Sequence, residues 1–178
     1  SLWGAILAGT ITLYYLCKKN DQNFFKWMDS LTPAFLVGLS ITCLGLFLDG
    51  AWYGHETSLP WGVNFESPDI KYTVPIHPTQ TYIMLYSAAI AIAAILLRDH
   101  KFFDKNGKLT VVVIGVFSFV HFLQEFARGD DVSLVFGIRV PQIVSIAVLI
   151  FSLIFYFLYY NGDTSDENRP SKIKKKTF

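Results

Sequence analysis

The stretch Pro75-Ile76-His77-Pro78-Thr79-Gln80-Thr81-Tyr82 decides the fold, because it sets polar and proline-restrained residues directly against a long apolar run. Pro78 has the fixed φ angle that suits the first turn of a helix, and it biases His77 toward an extended backbone. The apolar residues that follow predict a helix over residues 79–97. A segment rich in polar groups therefore enters an apolar layer at this point.

Three polar side chains of this stretch, those of Thr79, Gln80 and Tyr82, are expected just inside that layer. Burying a hydroxyl, an amide and a phenol in apolar surroundings costs free energy unless each group finds a partner. A role in binding would account for that cost. The structural alternative is that Thr79 caps the helix and Tyr82 belongs to an interfacial aromatic belt.

The composition of the chain is that of a membrane protein. Of its 178 residues, 52% are hydrophobic and 16% are aromatic, which is too apolar for a soluble domain of this length. The sequence predicts an all-α, polytopic membrane helix bundle over residues 1–160, with an outer loop over residues 49–78. Five segments come near the roughly 17 to 25 apolar residues that cross a bilayer, namely residues 2–17, 31–48, 79–97, 109–127 and 140–160.

Lysine and arginine residues are distributed unevenly between the loops. Twelve follow the first, third and fifth predicted helices, and three, Lys71, Arg128 and Arg139, fall on the other side. Because basic loops stay in the cytoplasm, the amino end is expected outside. Residues 161–178 are expected to form a disordered, basic cytoplasmic tail. The net charge of +1 gives no reason to expect a nucleic-acid partner.

The first two predicted helices carry small and sulfur-containing residues. Small residues in the first helix (Gly4, Ala5, Ala8 and Gly9) and in the second (Gly38 and Gly45) predict that neighbouring helices approach closely there. Cys17 and Cys43 belong to different helices and to different depths, so a disulfide between them is not expected and both are predicted to be free thiols.

Ionisable residues recur along one face of the fourth predicted helix. His121, Glu125 and Arg128 are spaced at i, i+4 and i+7. With a rise of about 1.5 Å per residue, His121 is expected inside the hydrocarbon and Arg128 near its outer surface. Ionisable groups at such a depth face protein or water, and they are functional candidates by default. The structural alternative is a salt bridge between Glu125 and Arg128, with His121 hydrogen-bonded in the core.

Further polar groups are expected at the outer surface. Arg139 and Gln142 stand at the amino end of the fifth predicted helix, where unpaired N–H groups and partial positive charge favour a phosphate. Asp49 and Gly50 interrupt the second apolar run, either as irregular backbone that lines a cavity or as a plain helix end. Within the outer loop, residues 63–65 and 71–74 predict a small hairpin.

Taken in order, several motifs resemble those of the bacterial prolipoprotein diacylglyceryl transferase family. The resemblance covers nearly the whole chain up to the tail and matches the family's later helices. Since the chain begins at Ser1 inside an apolar run, an earlier part of a longer protein is expected to precede it. The matching motifs are Leu44-Gly45-x-Phe47-x-Asp49-Gly50-x-x-Tyr53-Gly54, Pro60-Trp61-Gly62, His77-Pro78-Thr79-Gln80-x-Tyr82, Glu125-Phe126-x-Arg128 and Gln142.

The resemblance implies a transferase of the bacterial cytoplasmic (inner) membrane that carries out the first step of lipoprotein maturation. Such an enzyme moves the diacylglyceryl group of phosphatidylglycerol onto the lipobox cysteine thiol of a prolipoprotein signal peptide. The implied partners are therefore phosphatidylglycerol, the signal peptide and membrane lipid. No cofactor is implied, and no spacing of cysteine or histidine predicts a metal site. The reaction needs a base that generates the thiolate and cationic groups that hold the phosphate.

The candidate residues fall into two groups. In the catalytic group, His121 is expected to act as the base, Glu125 to orient it, and Arg128 to hold the phosphate. The second group is expected to bind and position the substrates, and it comprises Asp49, Gly54, His77, Gln80, Tyr82, Arg139 and Gln142.

Several positions depart from the family pattern and leave two interpretations open. One is a divergent but active transferase. The other is a catalytically degenerate member of the family that acts as a membrane lipid- or signal-peptide-binding module. A transporter or channel is less favoured, because it would need polar groups across several helices, whereas the ionisable groups here gather toward the outer half of the membrane. The residues that replace functional family residues are Trp3, Cys43, Leu46, Ala51 and His121.

Overall fold

A computed structural model describes residues 2–64 and 74–160, with side chains from residue 8 onward. The described residues contain a two-stranded antiparallel hairpin, β1 (Leu134–Val135) and β2 (Ile138–Arg139). Short 3-10 turns over Lys101–Phe103 and Glu125–Ala127 flank the fourth helix. The five α-helices are α1 (Leu2–Lys19), α2 (Phe24–Asp49), α3 (Thr79–Leu97), α4 (Lys108–Gln124) and α5 (Val140–Tyr160).

The helices pack as two pairs. Helix α2 lies along α3, α4 lies along α5, and α3 joins the pairs through α4. A small apolar core forms where α2, α3 and α4 meet, and it contains Leu36, Ala91, Ala94, Leu109 and Val113. Many large apolar side chains are exposed instead, as expected for helices whose outer surfaces face lipid.

Four segments of the described chain are long and apolar enough to cross a membrane. They are α2, α3, α5 and the continuous stretch Lys108–Ala127, which joins α4 to its 3-10 turn. The prediction of an all-α, polytopic membrane bundle is confirmed.

Helix α2 begins seven residues before its predicted start at residue 31. The polar residues around Lys26 favour a turn in the sequence, but the helix already begins at Phe24. Asn23 causes the early start, because its side-chain oxygen accepts a hydrogen bond from the backbone N–H of Lys26 at 3.1 Å. The helix then continues through Pro33.

The carboxyl end of α2 is a plain helix end, one of the two possibilities left open by the sequence. Gly50 has a φ angle of 70°, and its N–H donates to the carbonyl groups of Leu46 and Phe47. A glycine in the left-handed region is the usual way to stop a helix. The chain therefore turns away at Gly50 and does not continue as an irregular extension of the helix.

Close helix packing occurs at a different glycine from those predicted. Around Gly9, Gly38 and Gly45, a Cβ atom would have open space among the described residues, so within this part of the chain no neighbouring helix packs closely on these three glycines. At Gly115 of α4, in contrast, a Cβ atom would lie 2.9 Å from the hydroxyl of Ser152 in α5. The predicted free thiols Cys17 and Cys43 are confirmed, and both are buried.

Four helix ends meet at one end of the bundle, called the site end below. They are the carboxyl ends of α2 and α4 and the amino ends of α3 and α5. Isolated backbone bridges tie the loops there together, joining Gly54 to Arg128 and joining Ile76 to both Glu56 and Val63. The predicted hairpin between residues 63–65 and 71–74 falls mostly outside the described residues, and the predicted tail over 161–178 falls entirely outside them.

Candidate functional site

Two side chains at the start of α3 hold the loop that follows α2. The hydroxyl of Thr79 donates to the carbonyl of Trp52, and the side-chain amide of Gln80 donates to the carbonyl of Ala51. Both side chains are fully buried. Thr79 does not cap its own helix, since Pro78 occupies the cap position. Gln80 therefore braces the loop through its amide nitrogen, while its Oε1 atom has no hydrogen-bond partner among the described residues.

Gly54 lies where the two halves of the site meet. Its N–H donates to the carbonyl of His77 at 3.0 Å, and its backbone forms an antiparallel bridge with Arg128. A Cβ atom at this position would lie 2.5 Å from Cβ of His77 and 2.7 Å from the carbonyl of Ala127. No side chain fits there. Glycine thus allows the segments that carry His77 and Arg128 to approach the same backbone.

A chain of hydrogen bonds, called the relay below, runs from Trp61 through Tyr82 to the imidazole of His77. The indole N–H of Trp61 donates to the hydroxyl of Tyr82 at 2.8 Å, and that hydroxyl lies 3.0 Å from Nδ1 of His77. Indole N–H is only a donor, so the Tyr82 hydroxyl oxygen accepts from Trp61, and the hydroxyl proton of Tyr82 can be donated to Nδ1. A neutral His77 then carries its own proton on Nε2. The predicted substrate-binding residues His77 and Tyr82 therefore form one hydrogen-bonded unit.

A network of two arginines and two carboxylates lies on the other side of Gly54. Arg128 donates to Glu125 Oε1 at 3.0 Å, to Asp130 Oδ1 at 2.9 Å, and to Asp130 Oδ2. Arg139 donates to Glu125 Oε2 at 3.1 Å, to Asp130 Oδ1 at 2.7 Å, and to the Asp130 carbonyl. Glu125 is fully buried, whereas the side chain of Asp130 is 15% exposed. The charges of the four side chains sum to zero.

The two guanidinium groups keep part of their bonding capacity. A guanidinium has five N–H groups, and within the described residues three of them are used by Arg128 and three by Arg139. Arg128 also lies over the ring of Trp52, with its central carbon 5.1 Å from the ring centroid. Both guanidinium groups can therefore donate to a further anion, or exchange one carboxylate for another anion.

The imidazole of His121 is held by α3 and not by Glu125. Its Nδ1 atom lies 2.8 Å from the hydroxyl of Tyr86, and its ring stacks on Phe117 with the centroids 5.7 Å apart. Its Nε2 atom is 3.8 Å from Glu125 Oε1, too far for a hydrogen bond. Glu125 therefore does not orient His121 through a hydrogen bond, because the Glu125 carboxylate is engaged by Arg128 and Arg139; the two groups lie within ion-pair distance only. The contacts agree with the structural alternative drawn from the sequence.

Two predicted binding residues lie at the margin of these clusters. Asp49 is exposed at the end of α2, and its side chain makes no hydrogen bond or ion pair with the described residues. Gln142 is buried in the first turn of α5, where its side-chain oxygen accepts from the backbone N–H of Arg139 at 3.3 Å. Gln142 thus supports the position of Arg139, and Asp49 belongs to neither cluster.

Sequence reasoning missed three partners. Tyr86 follows Tyr82 by four residues, so the two phenols share one face of α3, and that spacing was the available signal. Asp130 comes two residues after Arg128 and is not among the predicted site residues. Trp61 was noted as part of a motif without a contact. In each case the partner lies on a different element or in a turn, where spacing along one helix gives no information.

A family model for prolipoprotein diacylglyceryl transferase matches residues 1–158. The chain belongs to the prolipoprotein diacylglyceryl transferase family. The resemblance predicted from the sequence motifs is thereby confirmed. Two of this family member's motifs carry the clusters described above: Glu125-Phe126-x-Arg128 supplies the ion-pair network, and His77-Pro78-Thr79-Gln80-x-Tyr82 supplies the relay and the loop brace.

Curated relatives carry the name phosphatidylglycerol–prolipoprotein diacylglyceryl transferase. The protein from Corynebacterium diphtheriae is 30% identical over 163 residues, which cover 83% of this chain and 56% of the relative. The protein from Finegoldia magna is 33% identical over 161 residues, which cover 89% of this chain and 61% of the relative. The protein from Clostridium tetani is 29% identical over 156 residues, covering 87% and 62%. The matched region is thus less than two thirds of each relative.

Proposed function

We propose that this protein transfers the diacylglyceryl group of phosphatidylglycerol to the lipobox cysteine thiol of prolipoproteins in the bacterial cytoplasmic membrane. The observation that carries the proposal is the backbone pairing of Gly54 with both His77 and Arg128, which brings these two segments together at one end of a membrane bundle. Helix ends lie at the level of the phospholipid headgroups. The names of the relatives support the same reaction.

In this proposal the lipid phosphate takes the place of Asp130 between Arg128 and Arg139. Asp130 is partly exposed and Glu125 is fully buried, so the Asp130 carboxylate is the one that exchanges. Phosphate oxygens accept the same paired N–H groups as a carboxylate. The two arginines then stabilise negative charge that builds on the departing phosphate, while the Nε2–H of His77 donates to a headgroup oxygen.

The thiol would be activated at His121. If Nδ1–H donates to the hydroxyl of Tyr86, Nε2 keeps a lone pair and accepts the proton of the signal-peptide cysteine. The thiolate attacks the carbon of the diacylglyceryl group that bears the phosphate ester, so that an S–C bond forms and the C–O bond between that carbon and the phosphate breaks. The products are a thioether and glycerol phosphate. The imidazolium that results would lie 3.8 Å from Glu125, which would stabilise its charge.

The test uses the full chain reconstituted in phosphatidylglycerol vesicles with a lipobox peptide. Mass spectrometry should detect the peptide with an added diacylglyceryl group, and that product should be lost in R128Q and R139Q. R98Q is the matched control, because Arg98 is 58% exposed at the opposite end of the bundle. Absence of product from the wild type under conditions in which a typical family enzyme is active would overturn the proposal.

The second candidate function is a binding module without catalysis. The observation that favours it is the charge balance of the network, in which Glu125 and Asp130 already neutralise both arginines. A neutral network gives less stabilisation to a departing phosphate than a cationic one. In the same vesicles, peptide that binds to the wild type and is recovered unmodified would identify the module.

The orientation of the bundle belongs to the same proposal. Both substrates are engaged at the outer surface, so the site end should face outward and the segment after α5 should face the cytoplasm. Reporter fusions at the carboxyl end would test this, since an alkaline phosphatase fusion should be inactive and a cytoplasmic fluorescent fusion active. The opposite pair of results would reverse the orientation.

A further inference from the structure

The hairpin of β1 and β2 turns through Phe136 and Gly137. Their φ angles are 51° and 79°, so both central residues of the turn are left-handed. Glycine and asparagine suit such positions, whereas a bulky aromatic residue is disfavoured there. The strands pair Leu134 with Arg139 and Val135 with Ile138. The turn therefore keeps an aromatic side chain at its tip against the conformational preference of that side chain.

The hairpin exposes apolar side chains on every side. Phe136 is 100% exposed, and Leu134, Ile138 and Val135 are 61%, 46% and 42% exposed. Cross-strand partners share a face of a hairpin, so Leu134 lies on one face while Val135 and Ile138 lie on the other. A partner protein that docks on one side would need only one apolar face. Apolar residues on both faces and at the tip fit an apolar medium that surrounds the hairpin.

The position of the hairpin indicates which medium this is. Strand β2 ends at Arg139, and the membrane helix α5 begins at the next residue, Val140. The base of the hairpin is closed by a hydrogen bond from the N–H of Val140 to the carbonyl of Ser133 at 3.1 Å. Two residues per strand extend only about 7 Å, so the tip lies no more than about that distance from the start of the membrane helix. Water there can still satisfy the unpaired backbone groups.

We infer that the hairpin over residues 134–139 is seated in the bilayer at the site end, with Phe136 as its inserted tip. The hairpin leads directly along the chain into α5, whose apolar side chains are also exposed, and the partner of this surface is the lipid leaflet itself. Because Arg139 ends β2 and also binds Glu125 and Asp130, this seat links the ion-pair network to the surrounding lipid. The inference rests on the membrane fold and does not require catalysis.

The test measures the environment of spin labels in phosphatidylglycerol vesicles. Labels are placed one at a time through F136C, L134C and V135C, after Cys17 and Cys43 have been replaced by alanine. Collisions with oxygen, which concentrates in lipid, are compared with collisions with a water-soluble nickel complex. F119C supplies the lipid reference, because Phe119 is 50% exposed on α4. N64C supplies the water reference, because Asn64 is exposed in a loop at the site end.

Labels at all three hairpin positions should collide more often with oxygen than with the nickel complex, as the label at position 119 does. Nickel accessibility equal to that at position 64 would overturn the inference. Protection of one face from both reagents would also overturn it, because it would show a protein partner or a second copy of the chain. A double variant, F136S with I138S, gives an independent reading: the nickel accessibility of the label at Leu134 should rise, and no rise would count against a lipid seat.

Discussion

The carboxylate of Asp29 in α2 caps the start of α4 by binding Thr110. Its Oδ1 atom accepts from the backbone N–H of Thr110 at 2.8 Å and from the Thr110 hydroxyl at 2.7 Å, while Oδ2 accepts from the N–H of Gly107 at 2.6 Å. Gly107 itself has no side chain that could cap the helix. The amino end of a helix has unpaired N–H groups and partial positive charge, and a carboxylate satisfies both. Two membrane helices are thereby joined at the end opposite the site.

Replacing Asp29 with alanine should lower the free energy of unfolding by about 2 kcal/mol, because cap hydrogen bonds and a charge interaction are lost together. Unfolding in mixed detergent and dodecyl sulfate, followed by circular dichroism, would measure it. D99A is the control, since the side chain of Asp99 is 94% exposed and its loss should change stability by less than about 0.5 kcal/mol. Equal stability of the two variants would show that the cap contributes nothing.

The variant E125Q should destabilise the fold by about 3 kcal/mol, because a buried ion pair that loses one partner leaves uncompensated charge behind. Arg128 and Arg139 would then share Asp130 as their carboxylate in the network. The double variant E125Q/R139Q restores the balance of charge, so its loss should be smaller than the sum of the two single losses. Strict additivity in the same unfolding assay would contradict the network. E56Q, at an exposed loop position, is the control.

The sequence was most informative where one element carries the whole pattern. Hydropathy located the helices, and the i, i+4, i+7 spacing located the face of α4 that bears His121, Glu125 and Arg128. It failed where the partner comes from elsewhere in the fold. The residue that binds His121 is on α3, and the residue that completes the arginine network is in a turn. Long-range pairing of side chains depends on how helices are set against each other, which periodicity does not record.

The close contact between α4 and α5 at Gly115 is another long-range contact that periodicity along one helix does not predict. G115A should destabilise the protein by about 1 to 2 kcal/mol, since the new methyl group would press on the Ser152 hydroxyl, which donates to the Val111 carbonyl at 2.6 Å. In the unfolding assay, G38A should be neutral or stabilising by up to about 1 kcal/mol, because it fills open space and favours the helix.

A second substitution separates contact from helix propensity at Gly115. Removing the Ser152 hydroxyl in S152A takes away the atom that the new methyl group would meet. The penalty of G115A should therefore be smaller in the S152A background than in the wild type. If the penalty is unchanged, crowding against Ser152 is not its cause.

The relay from Trp61 predicts the tautomer of His77. In nitrogen-15 spectra of histidine-labelled protein in bilayers, neutral His77 should carry its proton on Nε2, as expected when the Tyr82 hydroxyl accepts from Trp61 and donates to Nδ1. W61F keeps an aromatic ring but removes the indole donor, so the Tyr82 hydroxyl can reverse and the Nδ1–H form should appear. The signals of His77 are assigned by their absence from the spectrum of the variant H77Q. A wild-type spectrum dominated by Nδ1–H would exclude the relay.

The hydrogen bond between Tyr86 and His121 should matter more for turnover than for lipid affinity. Y86F removes the group that sets the imidazole, and the loss of about 1 kcal/mol of positioning energy corresponds to a fall of roughly five- to tenfold in kcat. KM for phosphatidylglycerol should stay near the wild-type value, because the arginines that are proposed to hold the phosphate are unchanged. Y14F, at a phenol that is 55% exposed on α1, is the matched control.

The tautomer of His121 gives a reading that is independent of activity: Y86F should change the ratio of its Nδ1–H and Nε2–H forms. Wild-type kcat together with an unchanged nitrogen-15 spectrum would show that Tyr86 only fills space, whereas a changed spectrum with wild-type kcat would remove His121 as the proton acceptor.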